Sequence, residues 1–205
     1  MLISQRPRFL FVHIQKTGGT SLEKVLRAAC PQVQQIGCRH DYASTACKIL
    51  GPDYPDYFKF AFVRNPWDRL VSWYSMIVQY SQGKPRKKLN GLWQYVLDTA
   101  SSFEEFILYC TEAVDDEGGR KSFVFDQSTY ITDNGGSIIV DFIGRYENFA
   151  RDARYVLDRL GAPADDVPQV NRSVHDGYRQ YYTERTRQLV AERYHRDIER
   201  FGYRF

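Results

Sequence analysis

Apolar residues along this chain gather into short unbroken runs, separated by longer stretches of helical periodicity. Residues 9–14 (FLFVHI) and 58–63 (FKFAFV) are nearly continuous apolar runs, the pattern of strands buried on both faces. The opening MLISQRPRFLFVHI reads as a first strand, and residues 138–143 (IIVDFI) read as a third. After the first strand a helix is predicted over 21–29, with Thr20 and Glu23 matching the S/T-x-x-E capping box. After the second, a helix is predicted over 66–80. Asn65 suits its cap, Pro66 its first position and Asp68 its first turn, while Leu70, Val71, Tyr74, Ile77 and Val78 form its buried stripe. Helical patterning returns at 92–97, 103–113, 147–160 (stopped by Gly161 and Pro163) and 183–201, where Val190, Tyr194 and Ile198 stand four apart. Residues 81–91 and 115–119 read as loops.

Strands alternating with helices predict an α/β fold, a central mostly parallel sheet flanked by helices in three layers. In such sheets ligands bind beyond the C-terminal strand ends. At 205 residues, without internal repeats, the chain reads as a single domain spanning 1–205.

Composition narrows the partners. A net charge of +3 permits an anionic ligand but falls short of a nucleic-acid-binding profile. Cys30, Cys38, Cys47 and Cys110 show neither CxxC pairing nor metal-like spacing with histidines, so reduced thiols, a cytoplasmic location and no metal are expected. Nothing approaches the ~20 apolar residues that span a bilayer.

The first candidate chemistry is Lys16-Thr17-Gly18-Gly19-Thr20-Ser21, between a strand and a helix. Its glycines allow a tight turn and close backbone approach, and the helix start offers N–H groups and a positive dipole end to a phosphate. Thr17, Thr20 and Ser21 add hydroxyls, and Lys16 a cation. This is not GxxxxGK[ST], because Lys16 precedes the glycines. It fits a nucleotide 5′-phosphate without requiring a metal.

The second is Arg64, at the end of a strand, with Ser72. Ser72 lies seven residues after Asn65 and so returns to the same helix face about 10 Å along the axis. The Arg64 fork and the Ser72 hydroxyl suit one phosphate. Arg69 reads as a salt-bridge or capping residue.

FVHIQKTGGTSL followed by FKFAFVRNPWDRLVSWY resembles the carbohydrate sulfotransferases of the sulfotransferase-2 group, including its bacterial members. VDFIGRYENF (140–149) and the ending YHRDIERFGYRF are similar to those members too, so the likeness covers most of the chain. Gln15 departs from it, standing where Pro is commoner. The resemblance implies a P-loop-like fold that binds 3′-phosphoadenosine 5′-phosphosulfate (PAPS). It assigns the 5′-phosphosulfate loop to Lys16, Thr17, Gly18, Gly19, Thr20 and Ser21, and the 3′-phosphate to Arg64 and Ser72. The implied reaction is in-line sulfuryl transfer to an acceptor hydroxyl, on a glycan or another hydroxyl-bearing molecule, with Lys16 stabilising the leaving phosphate.

Such transfer needs a base. His40 resembles the position where this family often places a histidine base and is the first choice. His13 alternates with Phe9 and Phe11 and reads as a packed, hydrogen-bonded core residue. His175, in a polar loop after Asn171 and Ser173, is a second candidate, and His195 reads as solvated. Asp41, beside His40, stays open as a carboxylate alternative. The basic run Lys84, Arg86, Lys87 and Lys88 reads as a solvated loop or a hold for an anionic acceptor. Arg145 and Glu147, ending the third strand, either pair with each other or shape the nucleotide pocket. Two rival activities stay open: a P-loop-type nucleotide phosphotransferase and a non-catalytic nucleotide-binding protein of the same fold. The sequence carries no sign of oligomeric state.

Overall fold

A computed structural model describes residues 1–112, 123–162 and 177–205. The predicted loop 115–119, Ala113, Pro163, Asn171, Ser173 and His175 lie outside the described residues. In chain order come β1 (Leu2–Gln5), β2 (Arg8–Val12), α1 (Gly19–Ala29), β3 (Gln34–Gln35), α2 (Ala43–Leu50) and β4 (Phe58–Val63). There follow α3 (Pro66–Ser81), α4 (Gly91–Thr99), α5 (Phe103–Glu105), β5 (Phe142–Arg145), α6 (Phe149–Arg159), α7 (Glu184–Arg193) and α8 (His195–Phe201). Two compact units emerge, Met1–Arg64 with Gln127–Arg172, and Asn65–Asp126 with Ser173–Phe205.

The first unit holds a five-stranded sheet of order β3-β1-β2-β4-β5. β2 pairs parallel with β4, and β4 with β5. The centre of the sheet is therefore parallel, as expected of nearly all-apolar strands. Beyond it the sheet is mixed, because β1 runs antiparallel to both β2 and β3. What reads as one opening strand is thus two. The chain reverses at Arg6-Pro7, where Gln5 faces Arg8; proline has no N–H for a ladder and suits a turn. The third strand also starts later than predicted, at Phe142 rather than residue 138.

Period-2 alternation puts Phe9, Phe11, Phe60 and Phe62 on one face, in a core with Leu22, Val25 and Leu26 of α1 and Val156 and Leu157 of α6. Ring centroids lie 5.9 Å apart for Phe9–Phe60 and 5.3 Å for Phe11–Phe60, and each such pair adds about 0.5–1.5 kcal/mol beyond its area burial. Because β2, β4 and β5 are parallel, Val12, Val63 and Arg145 end on one edge. The chain segments that follow each of them begin there.

The second unit is helical. Asn65 caps α3 by accepting from the Trp67 N–H at 3.1 Å, with Pro66 at the first position, as the sequence predicts. Leu70, Val71 and Ile77 are buried with Trp67 and Trp73 against Leu92, Val96, Phe106 and Val190. The predicted helix 103–113 is instead the short α5 followed by a π-helical turn, Phe106–Cys110. The final helix breaks at Tyr194, which is fully buried and donates its hydroxyl to the Phe123 carbonyl. Arg69 is buried and donates to the Phe125 carbonyl at 3.1 Å. In the basic run, Lys84 sits 3.3 Å over the Tyr80 ring.

Candidate functional site

The turn between β2 and α1 is held in shape from beneath. Thr17 is fully buried and its hydroxyl donates to the Ile14 carbonyl at 2.9 Å. That hydroxyl, expected to face a phosphate, is engaged within the turn instead. Gly18 has φ 84°, and a Cβ there would stand 2.7 Å from Phe149 Cε2. A Cβ on Gly19 would meet the His13 ring at 2.1 Å. Neither site tolerates a side chain, because each packs on a buried ring. Lys16 is itself left-handed at φ 68°, a conformation that costs a non-glycine residue about 1–2 kcal/mol.

α1 opens two residues earlier than predicted, with Gly18 at its cap and no side-chain capping bond. Thr20 therefore falls inside the first turn, and the expected Thr20–Glu23 box does not form. Thr20 accepts from Arg39 at 3.3 Å, while Glu23 accepts from Arg27 and Arg39, each at 3.0 Å. The amides of Gly19 and Thr20 have no acceptor within the helix by their position. The Ser21 N–H turns back to the Gly18 carbonyl at 3.0 Å.

One strand along the same edge, Arg64 follows β4. The Gln127 carboxamide clamps its backbone, accepting from the Arg64 N–H and donating to the Arg64 carbonyl, each at 2.8 Å. The guanidinium donates to the Lys16 carbonyl at 3.2 Å and lies 3.9 Å over the Tyr146 ring. Arg64 is almost wholly buried, at 2% exposure. Lys16 is affected in turn: burial, and secondly the Arg64 cation, lower its ammonium to about 8. Two like charges, 48 residues apart in sequence, are thus brought together where three parallel strands end.

His40 meets the chain at His13, just before that turn. Its Nδ1 lies 2.8 Å from the His13 carbonyl, and the two rings meet edge to face with centroids 4.5 Å apart. His13 packs as predicted, buried and stacked on Phe11 at 5.4 Å. Its Nδ1, however, has no hydrogen-bond partner among the described residues and stands 3.7 Å from Glu23 Oε2. Burial first, then His40 and Arg39, hold His13 well below the usual histidine range. Asp41 is buried and accepts from the Cys38 and Tyr42 amides at 3.0 and 2.9 Å. Its carboxylate therefore braces the loop that carries His40. His195 is exposed on α8, as expected.

The first unit thus gathers Lys16, Thr17, Gly18, Gly19, Thr20, Ser21, His40 and Arg64. Ser72 belongs to the second unit, buried on α3. Three residues that sequence reasoning did not single out shape the site: Gln127, Tyr146 and Phe149. Tyr146 and Phe149 stand in the stretch VDFIGRYENF, whose likeness to the family was the available signal. The Arg145 N–H is held by Asp152 at 2.7 Å, which fixes how the chain leaves β5 towards Tyr146.

A family profile described as “Sulfotransferase family” matches residues 1–204. “Carbohydrate sulfotransferase 14” of Danio rerio is 27% identical over 189 residues, 80% of this chain and 48% of that protein. The human protein of the same description is also 27% identical, over 80% of this chain and 47% of its own length. The chain spans about half the length of these curated relatives. An “Uncharacterized protein” of Archaeoglobus fulgidus is 28% identical over 60% of the chain and 83% of its own length. A “Crystal Structure of Sulfotransferase from Alicyclobacillus acidocaldarius” is similar over 97% of both chains, at 16% identity and a TM-score of 0.43, too slight a likeness to carry weight. Among the described residues no group of three or more His, Cys, Asp or Glu could hold a metal, and no helix is long and apolar enough to cross a membrane.

Proposed function

The chain belongs to the sulfotransferase family, and from that premise we propose that it moves a sulfuryl group from PAPS to an acceptor hydroxyl, as one domain over residues 1–205. The observation that carries the proposal is the meeting of Lys16 and Arg64, two cations from different strand ends, one hydrogen-bonded to the other's carbonyl.

The residues present fit such a donor. The Arg64 cation contributes to depressing the Lys16 ammonium, and an anion beside both would relieve that repulsion. Lys16 and the first amides of α1 would hold the 5′-phosphate, and Arg64 the 3′-phosphate. PAPS, when bound, supplies the sulfuryl group. Lys16 and the amides then face the phosphate on which negative charge grows, the place where fixed donors act most strongly on a transition state. His40 keeps its proton on Nδ1, directed at the His13 carbonyl, and so offers the Nε2 lone pair to the acceptor's hydroxyl proton. A carbohydrate acceptor is supported by the relatives described as carbohydrate sulfotransferases.

Calorimetric titration with 3′-phosphoadenosine 5′-phosphate and with adenosine 5′-phosphate tests the donor assignment. Arg64→Ala should weaken the first ligand more than the second, because only the first carries a 3′ group; equal losses remove Arg64 from this role. Lys16→Ala should weaken both. Incubation with PAPS and a panel of oligosaccharides, read by mass spectrometry, tests the transfer. Tight nucleotide binding with no sulfated product from any hydroxyl acceptor would point to a binding protein instead.

A further inference from the structure

Arg64 meets three constraints that do not come from one place. Gln127 fixes its backbone, the Lys16 carbonyl takes one N–H, and the Tyr146 ring lies beneath its guanidinium at 3.9 Å. Tyr146 is half-buried on the turn Tyr146–Asn148 that follows β5. Its ring also leaves Gly18 no room for a side chain. A Cβ on Gly18 would stand 3.3 Å from Tyr146 Cδ2, next to the 2.7 Å approach of Phe149. One ring therefore lies against the arginine and close beside the phosphate turn.

We infer that Tyr146 is a positioning residue: its ring face holds the Arg64 guanidinium ready for a 3′-phosphate, and so sets the preference for a 3′-phosphorylated nucleotide over one without that group. This rests on the assignment of Arg64 to the 3′-phosphate. An arginine side chain has many rotamers to lose when it is fixed. A guanidinium stacked on an aromatic ring has lost part of that freedom before the ligand arrives, so binding does not bear that cost. The planar cation also suits a ring face better than an ammonium does. The Tyr146 hydroxyl has no part in this; the π face does.

The readout is the affinity ratio of 3′-phosphoadenosine 5′-phosphate to adenosine 5′-phosphate, measured by calorimetry on the full chain. Loosening the fold in general moves both affinities together and leaves the ratio alone. Tyr146→Leu should lower the ratio by about 3- to 30-fold, and Tyr146→Phe should keep it within about 3-fold of the wild-type value. If the leucine variant does not fold, Tyr146→Met fills similar space without a π face and is expected to behave as leucine would. A ratio unchanged in Leu or Met, with Arg64→Ala still lowering it, overturns the role of Tyr146 and leaves Arg64 in place. A ratio that Arg64→Ala does not change overturns the assignment beneath both. Equal losses in Phe and Leu would transfer the effect to the hydroxyl and refute the ring-face role.

Discussion

The Nδ1 of His40 lies 2.8 Å from the carbonyl oxygen of His13. A carbonyl only accepts, so in the neutral ring this contact places the proton on Nδ1 and the lone pair on Nε2, the form a general base uses. His40→Gln should leave the affinity for 3′-phosphoadenosine 5′-phosphate unchanged while lowering turnover by about 10²–10⁴-fold. Single-turnover assays with PAPS beside calorimetry make the comparison, and undiminished turnover would transfer the proton to another group.

Lys16 gives a pH signature to binding. Its ammonium is lowered to about 8, whereas a bound phosphate favours the charged form. Affinity therefore falls as pH rises above about 8, by up to tenfold per unit, until the bound-state value is reached. The phosphate's own second ionisation, near 6, is complete throughout that window. Lys16→Arg keeps its charge and should give a flat profile from about pH 8 to 10. Parallel titrations of the two proteins across that window are the measurement; superimposable profiles would mean Lys16 does not contact the phosphate.

Glycine at 18 and at 161 offers a matched pair. Both residues have positive φ, 84° and 64°, but a Cβ at 161 would meet nothing within 4 Å while one at 18 would strike Phe149. Gly161→Ala bears backbone strain alone, about 1–2 kcal/mol. Gly18→Ala adds overpacking against a buried ring, a further loss of about 1–3 kcal/mol, and should also weaken nucleotide binding. Denaturant unfolding of both variants isolates the contribution of the ring.

His13 links stability to acid. Its ring titrates well below the usual histidine range, with burial the main cause. The unfolded chain then binds the extra proton first, so stability is full above about pH 6.5 and declines as pH falls towards the folded-state value, by at most about 1.4 kcal/mol per unit. His13→Asn should be less stable at neutral pH and should show a shallower loss between about pH 6.5 and 5. Thermal unfolding across that range checks the slope, and equal slopes would rule His13 out as its source.

Much of this frame is legible from local pattern. The runs 9–14 and 58–63 become β2 and β4, and Asn65-Pro66 opens α3 where its chemistry says it should. The Lys16-to-Ser21 turn is legible because small and hydroxyl residues cluster between two periodic segments. Contacts that bridge distant positions leave no periodic trace. Gln127 looks like any loop glutamine, and nothing in its spacing names Arg64 as its partner. Tyr146 has the same character, since a ring that serves as a platform reads no differently from one that fills a core. The reversal at Arg6-Pro7 is hidden because apolar residues continue on either side of it. Glu23 departs from the pattern for a subtler reason: a helix start displaced by two residues keeps the same letters but turns the carboxylate sideways, towards Arg27 and Arg39.

The Gln127 carboxamide carries the same donor and acceptor as a peptide unit, and it binds Arg64 as a neighbouring strand would, through one N–H and one C=O. The ladder therefore continues one rung past Val63, supplied by a residue 63 positions downstream. Arg64, which stands outside any strand, thereby has both its backbone polar groups paired as a strand residue would. The C-terminal end of β4 is held against fraying by a side chain, and not by a further strand.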